Sequence, residues 1–91
     1  STTAIPTLIE ALRDPKRNGD KVRLARTLSL YGSKLIPALS RVIKRDGSDS
    51  NVVQLLAFIE DVEEGVLGKL SKDRSKALRE AARQAREQRD S

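Results

Sequence analysis

The sequence predicts an all-α fold, and three observations support this prediction. Charged residues make up 34% of the chain and aromatic residues only 2%, a balance that favours helices. Apolar residues recur at intervals of three and four along the chain, as one face of a helix requires. Finally, the stretch IPTLIEALRD at residues 5–14 is echoed by IPALSRVIKR at residues 36–45. A repeat with a period of about 30 residues is typical of stacked supersecondary units.

Apolar spacing and helix-ending residues define the predicted elements. They place five helices near residues 4–14, 20–31, 35–45, 51–63 and 66–88. Pro6 and Pro37 are compatible with a helix only in its first turn, where both are expected to lie. Thr2 or Thr3 could cap the first helix, and we expect the carboxylate of Asp20 to cap the second.

The internal repeat also predicts the core. With a period of 31, apolar residues fall into shared columns, among them Ile5 with Ile36, Leu8 with Leu39, Val22 with Val53, Leu28 with Ile59, and Tyr31 with Val62. Positions that repeat on the apolar side of two helices are candidates for burial between the units. We therefore expect Leu8, Leu28, Leu39 and Ile59 to be core residues.

The first unit contains a specific order of residues. Pro6 lies early in its first predicted helix, Asp20 and Val22-Arg23 lie early in the second, and Ala25, Leu28 and Gly32 follow. This order resembles the pattern of the HEAT-repeat family, which has Pro early in the first helix, Asp and Val-Arg early in the second, and then a small residue, a leucine and a glycine. The second unit keeps Pro37 but departs from the pattern at four slots, which hold Asn51, Gln54, Leu56 and Glu63.

This resemblance spans residues 4–70 and implies a specific architecture. It implies two stacked HEAT-like helical hairpins over residues 1–66, followed by a long C-terminal helix over residues 67–91 that extends the same domain. A plain bundle of four or five helices is the alternative. The departures in the second unit argue against a regular ladder of Asp and Arg between the repeats.

The C-terminal segment carries most of the net positive charge. The chain has a net charge of +5, and residues 69–91 contain eight Lys and Arg against four Asp and Glu. On a continuous helix the basic residues would form one stripe, consisting of Lys69, Lys72, Lys76, Arg79, Arg83 and Arg86. The opposite face is mostly alanine, so we expect residues beyond Ala77 to project from the hairpins or to pack only partly. The stripe is either a solvated face paired with Glu80 and Glu87, or a docking surface for phosphates or acidic protein.

The composition argues against several chemistries. The chain has no cysteine and no histidine, which removes thiolate and imidazole metal ligands and the commonest general base. Glu60 and Glu64 would share a helix face, but a solvated role is expected rather than a metal site, with Glu63 and Glu64 favouring the start of the next helix. We therefore predict no catalytic residue, no metal, no cofactor and no small-molecule substrate. No apolar run approaches the ~20 residues needed to cross a bilayer, so no membrane partner is expected.

The function that these observations predict is binding without catalysis. We expect a protein–protein interaction or adaptor module, cytoplasmic, that binds through the surface of the helical repeats and through the C-terminal helix. Its partner is expected to be another protein or a second copy of the chain. HEAT repeats commonly act as scaffolds, so the resemblance implies the same role. The alternative is binding of nucleic-acid phosphates by the basic stripe, with Arg23 and Arg26 contributing.

Overall fold

The computed structural model describes residues 5–90, apart from the side chains of residues 15, 17 and 18. This part of the chain is helical and contains no strand, so the predicted all-α class is confirmed. The α-helices are α1 (Ile5–Arg13), α2 (Lys21–Ser29), α3 (Ile36–Asp46), α4 (Ser50–Val62), α5 (Val66–Leu70) and α6 (Lys76–Asp90). Short 3-10 helices, Pro15–Asp20 and Gly32–Leu35, precede α2 and α3. Thr2 and Thr3, the predicted caps of the first helix, lie outside the described residues.

Capping at the first turn of α2 differs from the prediction. Asp20 occupies the residue before α2, but its side chain makes no capping hydrogen bond. Lys21 instead serves the end of α1, because its Nζ donates to the carbonyl oxygens of Ala11 at 3.0 Å, of Asp14 at 2.5 Å and of Leu12. Those carbonyls have no partner within α1, so a lysine folded over the helix end satisfies them.

Three residues between α2 and α4 have side chains or backbone angles suited to the ends of helices. Pro37 lies in the first turn of α3, where its missing N–H costs nothing. Gly32 has a φ of +61°, and a side chain there would also meet the carboxylate of Glu63. Asp49 caps α4 by accepting from the backbone N–H of Val52 at 2.9 Å.

Helix α4 is the central element of the core. It packs mainly against α2 and α6, and it also contacts α1 and α5. Its buried residues are Val52, Val53, Leu55, Leu56, Ala57 and Ile59. Of the four predicted core residues, Leu28, Leu39 and Ile59 are buried, whereas Leu8 is only half-buried at the edge of the cluster.

The prediction of a single helix near residues 66–88 is wrong, because residues 71–75 separate α5 from α6. Small polar side chains bond locally there: Ser71 Oγ donates to the Gly68 carbonyl at 2.8 Å, and Asp73 Oδ2 accepts from the Ser75 N–H at 2.8 Å. Such bonds compete with continued helix.

The interruption changes how the C-terminal residues pack. Helix α6 lies against α4 and α5, and its apolar face of Leu78, Ala81, Ala82 and Ala85 is at most 2% exposed. The expectation that residues beyond Ala77 project from the hairpins is therefore wrong. Alanine suits this position because a small side chain lets two helices approach closely. In the described part of the chain, no helix combines the length and apolar character needed to cross a membrane.

Candidate functional site

An open groove of about 420 Å³ runs between α2 and α4. Its walls are formed by side chains of α2, of Leu30 directly after α2, and of the C-terminal half of α4, chiefly Arg23, Arg26, Leu30, Phe58, Asp61 and Val62. We call this surface the α2–α4 groove. Leu30 is 74% exposed and Val62 is 50% exposed, so two large apolar side chains face solvent at one end. The period of 31 had placed Val62 in an apolar column with Tyr31, and its exposure was not predicted.

Arg26 is held in a defined position at this groove. Its guanidinium carbon lies 4.7 Å from the centre of the half-buried Phe58 ring. A cation over an aromatic face is stabilised by the negative potential of the ring, by about 0.5–1 kcal/mol at an exposed site. This contact orients Arg26 while leaving the N–H groups of its guanidinium available to a ligand.

The charges of the groove are not balanced. Within the described residues, neither Arg23 nor Arg26 forms an ion pair with a carboxylate. Asp61 lies in the groove wall, but its Oδ1 accepts from Arg89 of α6, from Nε at 3.1 Å and from Nη2 at 2.7 Å. This hydrogen bond is the main reason that the pKa of Arg89 is raised, against a smaller effect of desolvation. The α2–α4 groove therefore presents two cations whose charge is not compensated locally.

The basic stripe predicted on a continuous helix is divided. Lys69 lies on α5, Lys72 lies in the connection, and only Lys76, Arg79, Arg83 and Arg86 share α6. All six side chains are exposed. The structure therefore does not bring the eight predicted binding residues together, because Arg23 and Arg26 lie on α2, whereas the other six lie on α5, on the connection or on α6.

The arginines of α6 differ in how they are engaged. Arg83 lies between Glu87, which accepts from its Nη1 at 2.5 Å, and Glu80, which accepts from its Nη2. The hydrogen bond from Arg83 outweighs partial desolvation and lowers the pKa of Glu80. Arg79 folds back over the connection, and its Nη1 donates to the carbonyls of Asp73 at 2.8 Å and Arg74 at 2.9 Å. These two arginines stabilise the helix and its start.

Glu60 has a role that the sequence did not reveal. Its carboxylate accepts from the backbone N–H of Gly65 and of Leu67, both at 2.8 Å, and so caps the start of α5. Partial burial of the Glu60 carboxylate is the largest single influence on its pKa, and it raises the pKa. The two backbone hydrogen bonds, followed by the charges of Arg89 and Arg86, nevertheless hold the pKa of Glu60 below its usual value. Glu60, rather than Glu63 or Glu64, thus serves the next helix.

A second cluster of charges joins the C-terminal ends of α1 and α3. Arg13 Nη1 pairs with Asp46 at 3.0 Å, and Arg45 Nη2 pairs with Glu10 at 3.5 Å. Arg45 also donates to Asp46, and this hydrogen bond is the largest cause of the lowered pKa of Asp46. The cluster lies at the surface and fixes the two helix ends side by side. No group of three or more potential metal ligands occurs among residues 5–90.

A smaller apolar groove of about 310 Å³ separates α3 from α5. Ile36, Val66 and Leu70 line it, and Lys69 lies at its edge. Ile36 is half-buried, while Val66 and Leu70 are buried, so none of these three side chains faces solvent to the extent that Leu30 and Val62 do.

Comparison of the chain with protein-family models, with curated proteins and with solved structures finds no match. The fold and its surfaces therefore carry the functional argument.

Proposed function

We propose that this chain is a non-catalytic protein-interaction module that binds its partner in the α2–α4 groove. The observation that carries the proposal is the exposure of Leu30 and Val62 beside Arg23 and Arg26. An apolar patch rimmed by polar groups is characteristic of protein-binding surfaces, and arginine and aromatic residues are enriched at such interfaces. A cytoplasmic location is part of the proposal, since a chain without cysteine has no need of an oxidising compartment.

The proposal includes a HEAT-like stacking of α1 and α2 on α3 and α4. Two relationships support it. Glu10 and Arg13 of α1 pair with Arg45 and Asp46 of α3, so equivalent helices of the two units lie side by side at the same end. Thr27 and Phe58, which are 31 residues apart, both line the α2–α4 groove. Equivalent second helices would then form its two walls.

The role of the C-terminal helix changes within this proposal. We expected α6 to engage a partner or a second copy, but the apolar face that such a contact needs is buried against the core. Its contribution to the groove is Arg89, which neutralises Asp61. In this proposal, α6 supports the binding surface rather than forming it.

Affinity capture tests the interaction function. The tagged chain is compared with a double variant, Leu30→Glu with Val62→Glu, in lysate of the source organism treated with nuclease. Val22→Glu is the matched control, because Val22 is as exposed as Val62 but lies outside the groove. We expect the unaltered chain and the control to capture the same proteins and the double variant to lose them. Equal capture by all three proteins would contradict the proposal.

A second candidate function is binding of nucleic-acid phosphates by the basic residues of α5, the connection and α6. One observation favours it: Lys69, Lys72, Lys76 and Arg86 form no ion pair with a carboxylate of the described residues. Cations without protein partners can displace the counterions of a phosphate backbone. Loss of captured material after nuclease treatment would favour this candidate.

A further inference from the structure

We propose that the occupant of the α2–α4 groove is an acidic segment of another protein that carries one large apolar side chain. This inference deepens the proposed interaction function and rests on it. The apolar side chain would cover Leu30 and Val62, and carboxylates on the same segment would pair with Arg23 and Arg26.

Charge complementarity is the first argument. Arg23 and Arg26 are exposed and lack carboxylate partners among the described residues, whereas the carboxylate of Asp61 is already engaged by Arg89 at 2.7 Å. The field at the groove is therefore positive, and it attracts negative charge and repels basic segments. An arginine also binds a carboxylate through two parallel N–H groups, which adds orientation to attraction.

The position of Arg26 is the second argument. Its stacking on Phe58 holds the guanidinium at the groove before any ligand arrives. A ligand carboxylate then pairs with a side chain that has already lost part of its rotational freedom, so less entropy is lost on binding. A freely moving lysine would give the same charge without this advantage.

The spacing of the groups defines the ligand further. Arg23 lies on α2, and Leu30 directly follows the last residue of that helix with helical backbone angles. The two residues are seven positions apart, which is about 10 Å along the helix at a rise of 1.5 Å per residue. A matching segment therefore carries its carboxylate and its apolar side chain about 10 Å apart. That separation is about seven residues in a helix or three in an extended strand.

The exposed apolar residues favour protein over nucleic acid at this groove. A phosphate backbone would pair with Arg23 and Arg26 but would leave Leu30 and Val62 facing charged, hydrated groups. An apolar side chain removes water from both residues, at roughly 25 cal/mol for each Å² of apolar surface covered.

The test is a selection of peptides on the 91-residue chain. A phage-displayed library of random 12-residue peptides is selected on the unaltered protein and on two variants, the groove-apolar variant (Leu30→Glu with Val62→Glu) and the groove-arginine variant (Arg23→Gln with Arg26→Gln). We expect the unaltered protein to enrich peptides that combine Asp or Glu with one large apolar residue. These peptides should be enriched less on both variants than on the unaltered protein.

Affinities of the selected peptides are then measured by fluorescence anisotropy. We expect the groove-arginine variant to bind about five- to tenfold more weakly, as two partly exposed ion pairs allow. A matched control, Lys69→Gln with Lys72→Gln, removes the same charge outside the groove and should leave the affinity unchanged. Unchanged thermal melting of each variant ensures that a loss of binding is not a loss of folding.

The outcomes separate this inference from the proposed function. Enrichment of apolar peptides with no acidic preference would overturn the acidic partner and leave the groove as a protein-binding site. Equal weakening by the Lys69 and Lys72 control would show unspecific attraction and overturn the inference. If no peptide is enriched but a 20-base-pair DNA duplex binds the unaltered protein and not the groove-arginine variant, the groove binds phosphates, and both proposals fail.

Discussion

The ammonium group of Lys21 lies 3.0 Å from the carbonyl oxygen of Ala11 and closes the C-terminal end of α1. Lys21 is 8% exposed, which is uncommon for a lysine, and its Nζ has three carbonyl partners. It therefore joins the first two helices through a buried polar contact rather than through apolar packing alone.

Replacing this lysine should weaken the fold. Lys21→Met keeps the aliphatic stem but removes a donor from the carbonyls of Ala11, Leu12 and Asp14, of which Ala11 also accepts from the Asp14 N–H at 3.2 Å. Burying unsatisfied polar groups costs about 1–3 kcal/mol, so we expect a loss of that size in the free energy of unfolding. Urea denaturation measures it. Lys16→Met, at an exposed position nearby, is the control and should change stability by less than about 0.5 kcal/mol.

Alanine substitutions in the core should differ in how much they destabilise the protein. Leu39 and Ile59 are at most 1% exposed, and replacing either with Ala should destabilise the protein by about 2–5 kcal/mol through lost burial and a cavity. That is close to the whole stability of a domain of this size. Leu8→Ala should cost clearly less, because Leu8 is only half-buried. An equal loss at Leu8 and Leu39, measured by thermal or chemical unfolding, would contradict the assigned core.

Helix α6 is expected to be required for folding. Deleting residues 76–91 removes Leu78, Ala81, Ala82 and Ala85 and exposes the side of α4 that they cover. We expect the shortened chain to lose its cooperative thermal transition in circular dichroism. A control that lacks only residues 90–91 should melt like the full chain. A folded chain after the longer deletion would mean that α6 only rests on a stable core.

Glu60 should make stability depend on pH in the acid range. Its pKa in the folded protein is lowered below the usual 4.5. The folded state therefore binds fewer protons, and the stabilisation is fully present above that value and is lost as the pH falls through the folded pKa. Glu60→Gln should destabilise the protein at pH 7 by about 0.5–2 kcal/mol, the usual value of a helix cap. The difference from the unaltered protein should shrink below pH 4, as urea titrations at several pH values would show.

The helical class and most of the core could be predicted because they depend on local spacing. Leu28, Leu39 and Ile59 each belong to a set of apolar residues spaced three or four apart on its own helix, and this spacing largely decides which side of the helix is buried. The break at residues 71–75 could not be predicted in the same way. Ser71 and Asp73 are compatible with a helix, and only their local hydrogen bonds and the packing of α5 and α6 on α4 decide against it.

Some residues of the α2–α4 groove could be predicted from the sequence. Arg23 and Arg26 were predicted as binding residues, although together with a stripe that lies elsewhere. The contact between Arg26 and Phe58 depends on how α2 and α4 lie side by side, which spacing within one helix does not reveal. The exposure of Leu30 could have been predicted from the sequence, because Leu30 is a large apolar residue that lies off the apolar side of the helix predicted near residues 20–31.

The last prediction separates the two candidate functions by their dependence on salt. We expect no binding to duplex DNA or RNA even at low salt, where electrostatic attraction is strongest. The carboxylates of Glu80 and Glu87 hold Arg83 and would repel a phosphate backbone.

If the second candidate function is right instead, three phosphate contacts by Lys69, Lys72 and Lys76 give a log–log slope of affinity against salt of about −2.7. Changing these three lysines to Gln removes the charge at little cost in helix propensity, so it should flatten the slope and leave the melting temperature unchanged. Binding should weaken alike for unrelated DNA sequences, since phosphate contacts carry no base information. The groove-apolar variant should bind DNA as the unaltered chain does, because neither Leu30 nor Val62 lies on α5, on the connection or on α6. A loss of protein capture in that variant, together with an absence of DNA binding, would assign the function to the α2–α4 groove.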